Sequence, residues 1–224
     1  MQKFFLTAAQ HGTPGSIRSG KLFTACIAAS LLSLAGAAGA QAKLAGSAPV
    51  TYDNKYQIYG GLNLQTFQAG QNLPYRMNLG GVEVMGTYWL TSKLGVAAEF
   101  RGGAGTTPVF PSIYKGRQLV YLADGLGGVE YRGPKNQKAA LGLHALAGIS
   151  HGVFDTTSRD LPVDVGLYKN SNSPVGVAGG SVDFNVTKNI ALRLSPDIWF
   201  EHFGTETREF FAISGGVVYR FGKR

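Results

Sequence analysis

Eight stretches of this chain alternate in polarity with a period of two, and no helical stripe of apolar residues lies beyond residue 42. Such a period puts successive side chains on opposite faces of an extended strand. "YQIYGGLNLQTF" carries Ile58, Leu62 and Leu64 on one face and Gln57, Asn63 and Gln65 on the other. "GGVEVMGTYWL" sets Val82, Val84, Tyr88 and Leu90 against Glu83 and Thr87. "LGVAAEFRG" sets Leu94, Val96, Ala98 and Phe100 against Glu99 and Arg101. "QLVYLADGLGGVEYR" is less clean, because Leu122 and Leu126 share the parity of Asp124, Glu130 and Arg132. In "ALGLHALAGIS" His144 opposes Leu141, Leu143, Ala145 and Ile149. In "GVAGGSVDFNV" Asp183 opposes Val182, Phe184 and Val186. "IALRLSPDIWFEHF" opposes Arg193, Asp197 and Glu201 to Ile190, Leu192, Leu194, Ile198 and Phe200. The closing "FFAISGGVVYRFGKR" has Phe211, Ile213, Val217, Tyr219 and Phe221 on one face and Arg220 on the other.

Connections between these stretches alternate in length. Segments 91–93, 133–138 and 187–189 read as short turns, and segments 68–78, 102–117 and 155–173 as long loops. Segment 204–209 is intermediate. An up-and-down meander with its long loops at one end is the expected topology. Pro196 falls inside a strand and deletes a ladder donor, so a bulge or an early end of pairing is expected there.

The front of the chain reads as an export signal. Lys3, Arg18 and Lys21 precede the apolar run "LFTACIAASLLSLAGAAGA", and "AQA" at 40–42 supplies a small-x-small exit. The expected organisation is a cleaved signal peptide at 1–42, a short periplasmic segment at 43–55 and a barrel over 56–224. Cleavage removes Cys26, the single cysteine, which excludes disulfides, thiol nucleophiles and cysteine-ligated zinc from the mature domain. The formal charge is +8, but the basic residues come singly and form no cluster, which argues against nucleic acid as a partner.

Two closed barrels fit a period of two. A lipocalin-like periplasmic carrier turns its apolar face inward around a ligand. An outer-membrane barrel turns it toward lipid and fills its lumen with polar side chains. Export, abundant Gly and Ala on both faces, mixed acids and arginines on the polar face, and the aromatic end of the last strand favour the second. The expected fold is therefore all-β, an eight-stranded antiparallel up-and-down transmembrane β-barrel, with outer-membrane lipid as its solvent.

Two motifs add a resemblance. "VVYRFG", with Val217, Tyr219 and Phe221 alternating, resembles the terminal assembly signal of bacterial outer-membrane barrels. "GGSVDFNVTKNIALRL" is similar to a hairpin of small outer-membrane barrels related to the membrane domain of outer-membrane protein A. The resemblance spans residues 52–224 and implies an outer membrane of a Gram-negative bacterium and insertion by the barrel-assembly machinery. Gly222, Lys223 and Arg224 depart from it by following the phenylalanine that closes such chains.

Inward parity assigns Glu83, Glu99, Arg101, Asp124, Glu130, Arg132, His144, Asp183, Arg193, Asp197, Glu201 and Arg220 to the lumen. Charges packed in so narrow a space are expected to pair in a network, giving a structural plug; a narrow channel is the alternative. A lipid-modifying enzyme would need a serine, a histidine and an acid in hydrogen-bond reach. Ser150 and His151 face opposite sides, as do Glu201 and His202, and only a cross-strand partner such as Ser181 is left for His144. No catalytic set, cofactor or metal-ligand spacing is read here. Lys93, Lys135, Lys138, Lys188, Lys223 and Arg224 map to the short-turn end and form a basic rim suited to anionic phospholipid or an acidic periplasmic partner, joined by Lys43 and Lys55 with Asp53 as the exception. Loops 102–117 and 155–173 carry prolines and aromatics suited to an extracellular ligand.

Overall fold

The computed structural model describes residues 49–71, 73, 75–108, 117–154 and 166–223. The expected signal peptide at 1–42, the segment up to residue 48, Arg224, residues 109–116 of loop 102–117 and residues 155–165 of loop 155–173 lie outside the described residues. Eight strands follow in order: β1 (Asn54–Phe67), β2 (Met77–Trp89), β3 (Leu94–Pro108), β4 (Arg117–Lys135), β5 (Ala139–Phe154), β6 (Ser171–Asn185), β7 (Ile190–Phe203) and β8 (Glu206–Lys223). Each pairs antiparallel with its neighbour, and β1 pairs with β8 from Asn54↔Lys223 to Gln65↔Ala212, so the sheet is a closed barrel. Strands of 13 to 19 residues exceed the roughly 9–11 that suffice to cross a bilayer.

The faces divide as the alternation dictates. Ile58, Leu62, Val84, Leu143, Ile149 and Ile198 are exposed on the outside. Glu83, Arg101, Asp183 and Arg193 on the other parity are buried. Leu122 and Leu126, whose parity made β4 ambiguous, point inward with Asp124. A ligand carrier of the lipocalin kind needs the reverse polarity, and this interior is charged.

Three local expectations are corrected. Segment 204–209 is not a loop: β7 ends at Phe203 and β8 starts at Glu206, leaving a two-residue turn. Gly204 makes this tight turn by adopting φ +70°, the primed-turn geometry that matches strand twist. Strands also extend into the long loops, β3 to Pro108 and β6 from Ser171. Finally, Pro196 interrupts pairing on one side, as expected, but makes no bulge and does not end the strand. The β6–β7 ladder lapses between Gly179↔Asp197 and Val182↔Leu194 and resumes in the same register, while Pro196 stays paired with Ile213 on the β8 side. Ser195 Oγ donates to Gly180 O at 3.0 Å, satisfying a carbonyl in the lapsed stretch. The register shift lies instead between Arg132 and Lys135, beside Pro134.

Candidate functional site

The lumen is the one place where the fold concentrates chemistry, and it is built in tiers. In the middle tier, β2 and β3 set Glu83 opposite Arg101. Arg101 Nη2 lies 2.6 Å from Glu83 Oε2, 3.0 Å from Glu99 Oε1 and 2.8 Å from Asp197 Oδ2, and the guanidinium stacks 4.6 Å from the Trp199 ring. His144 Nε2 sits 3.0 Å from Asp197 Oδ1. These groups are almost completely shielded from solvent, so each charge depends on its neighbours.

Toward the short turns lies a second cluster. Asp183 and Arg193 face each other across β6 and β7. Arg193 donates to Asp183 through Nε at 2.6 Å and Nη2 at 3.1 Å, and to Glu130 Oε1 at 3.0 Å. Arg220 donates to Asp183 Oδ2 and to Asn185 Oδ1, each at 2.7 Å. Thr87 donates to Glu130 Oε2 at 2.5 Å. Arg132 bonds the neutral acceptors Tyr52 O, Asn54 Oδ1 and Gln57 Oε1, and stacks 3.8 Å from the Trp89 ring.

The expected pairing is incomplete in one tier. Asp124 and Glu201, each 1 % exposed, enter no ion pair among the described residues. Among the described residues Asp124 Oδ1, both Glu201 oxygens and the fully buried Ser150 Oγ make no well-formed hydrogen bond, although the Ser150 hydroxyl lies beside both carboxyls. Each acid stands in register beside an arginine, Asp124 opposite Arg101 and Glu201 opposite Arg208, but Arg101 is committed to Glu83, Glu99 and Asp197 and Arg208 to Gln68 and Glu206.

Side chains of the described residues pack across both mouths, and these residues were not anticipated. At the loop end Phe67, Phe154, Phe203, Phe210 and Tyr168 pack into one ring cluster, with centroids 5.1 Å apart for Phe67 and Phe210 and 5.4 Å for Phe154 and Phe203. Tyr168 N donates to Ala69 O at 2.9 Å, which pins two connections over the cluster. Burial there pushes the Tyr168 phenol above its ordinary value. The signal was available, since Phe67, Phe154, Phe203 and Phe210 occupy the inward parity at the loop ends of their strands. At the other mouth Tyr52 turns in with φ 57°, unusual for a residue with a Cβ. Its hydroxyl donates to Asn136 O at 2.6 Å, and Arg220 and Arg132 lie 5.1 and 5.5 Å from its ring centre.

The described histidines are engaged elsewhere than on serines. His144 bonds Asp197, His151 bonds Asn172 and His202 bonds Thr207. Ser181, the partner suggested by sequence for His144, pairs across the strand with Gly142 and not with His144. Among the described residues no group of three or more His, Cys, Asp or Glu is placed to hold a metal ion. Lys93, Lys135, Lys138, Lys188 and Lys223 are all exposed at the short-turn end. Outside the barrel at that end, Tyr56 stacks on Phe221 at 5.4 Å and Tyr219 on Phe221 at 5.7 Å.

No protein-family model matches the chain, and no curated protein sequence matches it either. Among solved structures, Neisserial surface protein A superposes with a TM-score of 0.57 at 12% identity, over 75% of this chain and 97% of that one. The outer membrane protein OprG from Pseudomonas aeruginosa superposes with a TM-score of 0.53 at 10% identity, over 75% of this chain and 96% of that one. At such identities the likeness is one of fold: the chain shares the closed eight-stranded antiparallel barrel of these proteins.

Proposed function

We propose that this chain is an integral protein of a bacterial outer membrane, with a structural or surface-interaction role and a lumen that acts as a plug. One observation carries the reading: the closed barrel buries its charges and exposes its apolar residues. In water this arrangement would leave a continuous band of Ile, Leu, Val and aromatic side chains unsolvated. In hydrocarbon it is the stable arrangement, because closure satisfies every backbone group within the sheet and lipid covers the band. The rings of Tyr56, Tyr219 and Phe221 fit the polar–apolar boundary at the short-turn end.

In this reading the short turns face the periplasm. Val217, Tyr219 and Phe221 serve as the strand-end signal for the assembly machinery, and the loops at the other end meet extracellular partners. The aromatic cluster above and Tyr52 below favour a plug over a narrow channel. The histidine partners favour a non-enzymatic role over a lipid-modifying one. Fractionation of cells expressing the full chain, followed by gel mobility with and without boiling, tests the reading. Recovery in the outer membrane with heat-modifiable migration is expected. A periplasmic band that needs no detergent would overturn it.

A further inference from the structure

Beside the seam where β1 meets β8 a basin of about 510 Å³ opens at the short-turn end, within the usual size range of small-ligand sites. Lys188 from the β6–β7 turn and Lys223 from the end of β8 line it, with Arg220 and Asn189 behind them and Asp53 opposite. Arg220 is 2 % exposed, its Nη atoms are taken by Asp183 and Asn185, and its Nε is shut off from solvent, so the donors the basin offers are the two lysines. One acid against two exposed lysines, with Arg220 balanced by Asp183, leaves the basin positive.

Phe221 also lines the basin, and its ring continues outward into the Tyr56 and Tyr219 stack on the apolar face. The basin thus joins a positive, donor-bearing hollow to an aromatic surface at the membrane boundary. A free anion would use only the hollow. A molecule with a phosphate head and acyl chains would use both, the head against Lys188 and Lys223, the chains along Phe221.

Resting on the outer-membrane reading above, we propose that this basin is a binding site for the head group of an anionic phospholipid of the periplasmic leaflet. The site is local, so it differs from a general attraction between a basic rim and a negative surface. The other short turns provide the control. Lys93 and Lys138 stand on the β2–β3 and β4–β5 turns, away from the seam, and carry the same charge as Lys188 and Lys223.

The test uses the full barrel in phosphatidylcholine nanodiscs with a minority of phosphatidylglycerol, and counts the anionic lipid retained on the protein by native mass spectrometry. Lys188→Gln/Lys223→Gln is expected to cut retention at least about fivefold, the loss that two lysines near an anionic surface can produce. Lys93→Gln/Lys138→Gln is expected to leave it within about twofold. Equal losses in the two variants would reduce the site to rim charge and overturn it, as would wild type that retains no phosphatidylglycerol in preference to phosphatidylcholine. Displacement of the lipid by millimolar inorganic phosphate would show that the hollow reads phosphate alone and would overturn the lipid assignment. All three readings require protein inserted in the nanodisc, so they separate from failure of the membrane reading itself, which fractionation detects.

Discussion

His144 and Asp197 bond to each other across Gly179, which sits between them in one row of the sheet. A Cβ at residue 179 would lie 2.1 Å from Asp197 Oδ1 and 2.5 Å from His144 Nε2. Gly179→Ala therefore expels the bond and overpacks the tier, at a cost of about 1–3 kcal/mol in stability. Gly176→Ala on the same strand points outward into open space and should be neutral. Urea unfolding midpoints in detergent compare the two, and equal midpoints would count against this account of the tier.

Arg193 is the hub of the lower cluster, joined to both Asp183 and Glu130. Arg193→Met leaves two buried acids short of a partner and should destabilise by about 3–5 kcal/mol. Adding Asp183→Asn removes one of the stranded charges, so the double variant should be less damaged than the sum of the single changes. Simple additivity in a double-mutant cycle would show that the pair is not coupled.

Two buried glutamates should respond oppositely to neutralisation. Glu130 accepts from Arg193 and Thr87, and Glu130→Gln should cost about 1.5–3 kcal/mol, the range for hydrogen bonds to charged groups. Glu201 forms no ion pair among the described residues, and Glu201→Gln removes a potential charge from a site that does not compensate it, so it should not destabilise. Unfolding of the two variants at neutral pH makes the comparison; a loss at residue 201 as large as at residue 130 would reveal a partner for Glu201.

Tyr52 holds the short-turn mouth through its hydroxyl and its ring. Tyr52→Phe deletes the bond to Asn136 O and should cost about 1 kcal/mol. Tyr52→Ala also uncovers Arg132 and Arg220 and should cost more, because alanine keeps the Cβ that the left-handed backbone disfavours. Single-channel recording on both variants reports whether the mouth has opened; a Tyr52→Ala barrel as stable as wild type would deny the residue this role.

Much of this barrel was legible because one period carries two kinds of information. Parity separated Glu83, Arg101, Asp183 and Arg193 from Leu62, Val84 and Ile198, and turn lengths placed the strands in a meander. Partnership was not legible. Arg101 meets Asp197 and Arg193 meets Glu130 across the lumen, and such contacts depend on stagger between strands, which no local pattern encodes. Tyr52 escaped notice because it precedes the first alternating stretch. The consequence of Pro196 was overestimated because a neighbouring hydroxyl, Ser195 Oγ, can serve a carbonyl in the lapsed ladder.

The pairing of β1 with β8 joins the two strands of the barrel that lie farthest apart in sequence. Until that last pairing forms, any partial sheet has two open edges, each a template for aggregation. Contacts of such long range are also slow, because a large loop must close before any of them is gained. A half-built sheet is therefore poorly suited to cross an aqueous compartment. On the proposed outer-membrane reading, the chain travels unfolded and its two edges meet where lipid already waits.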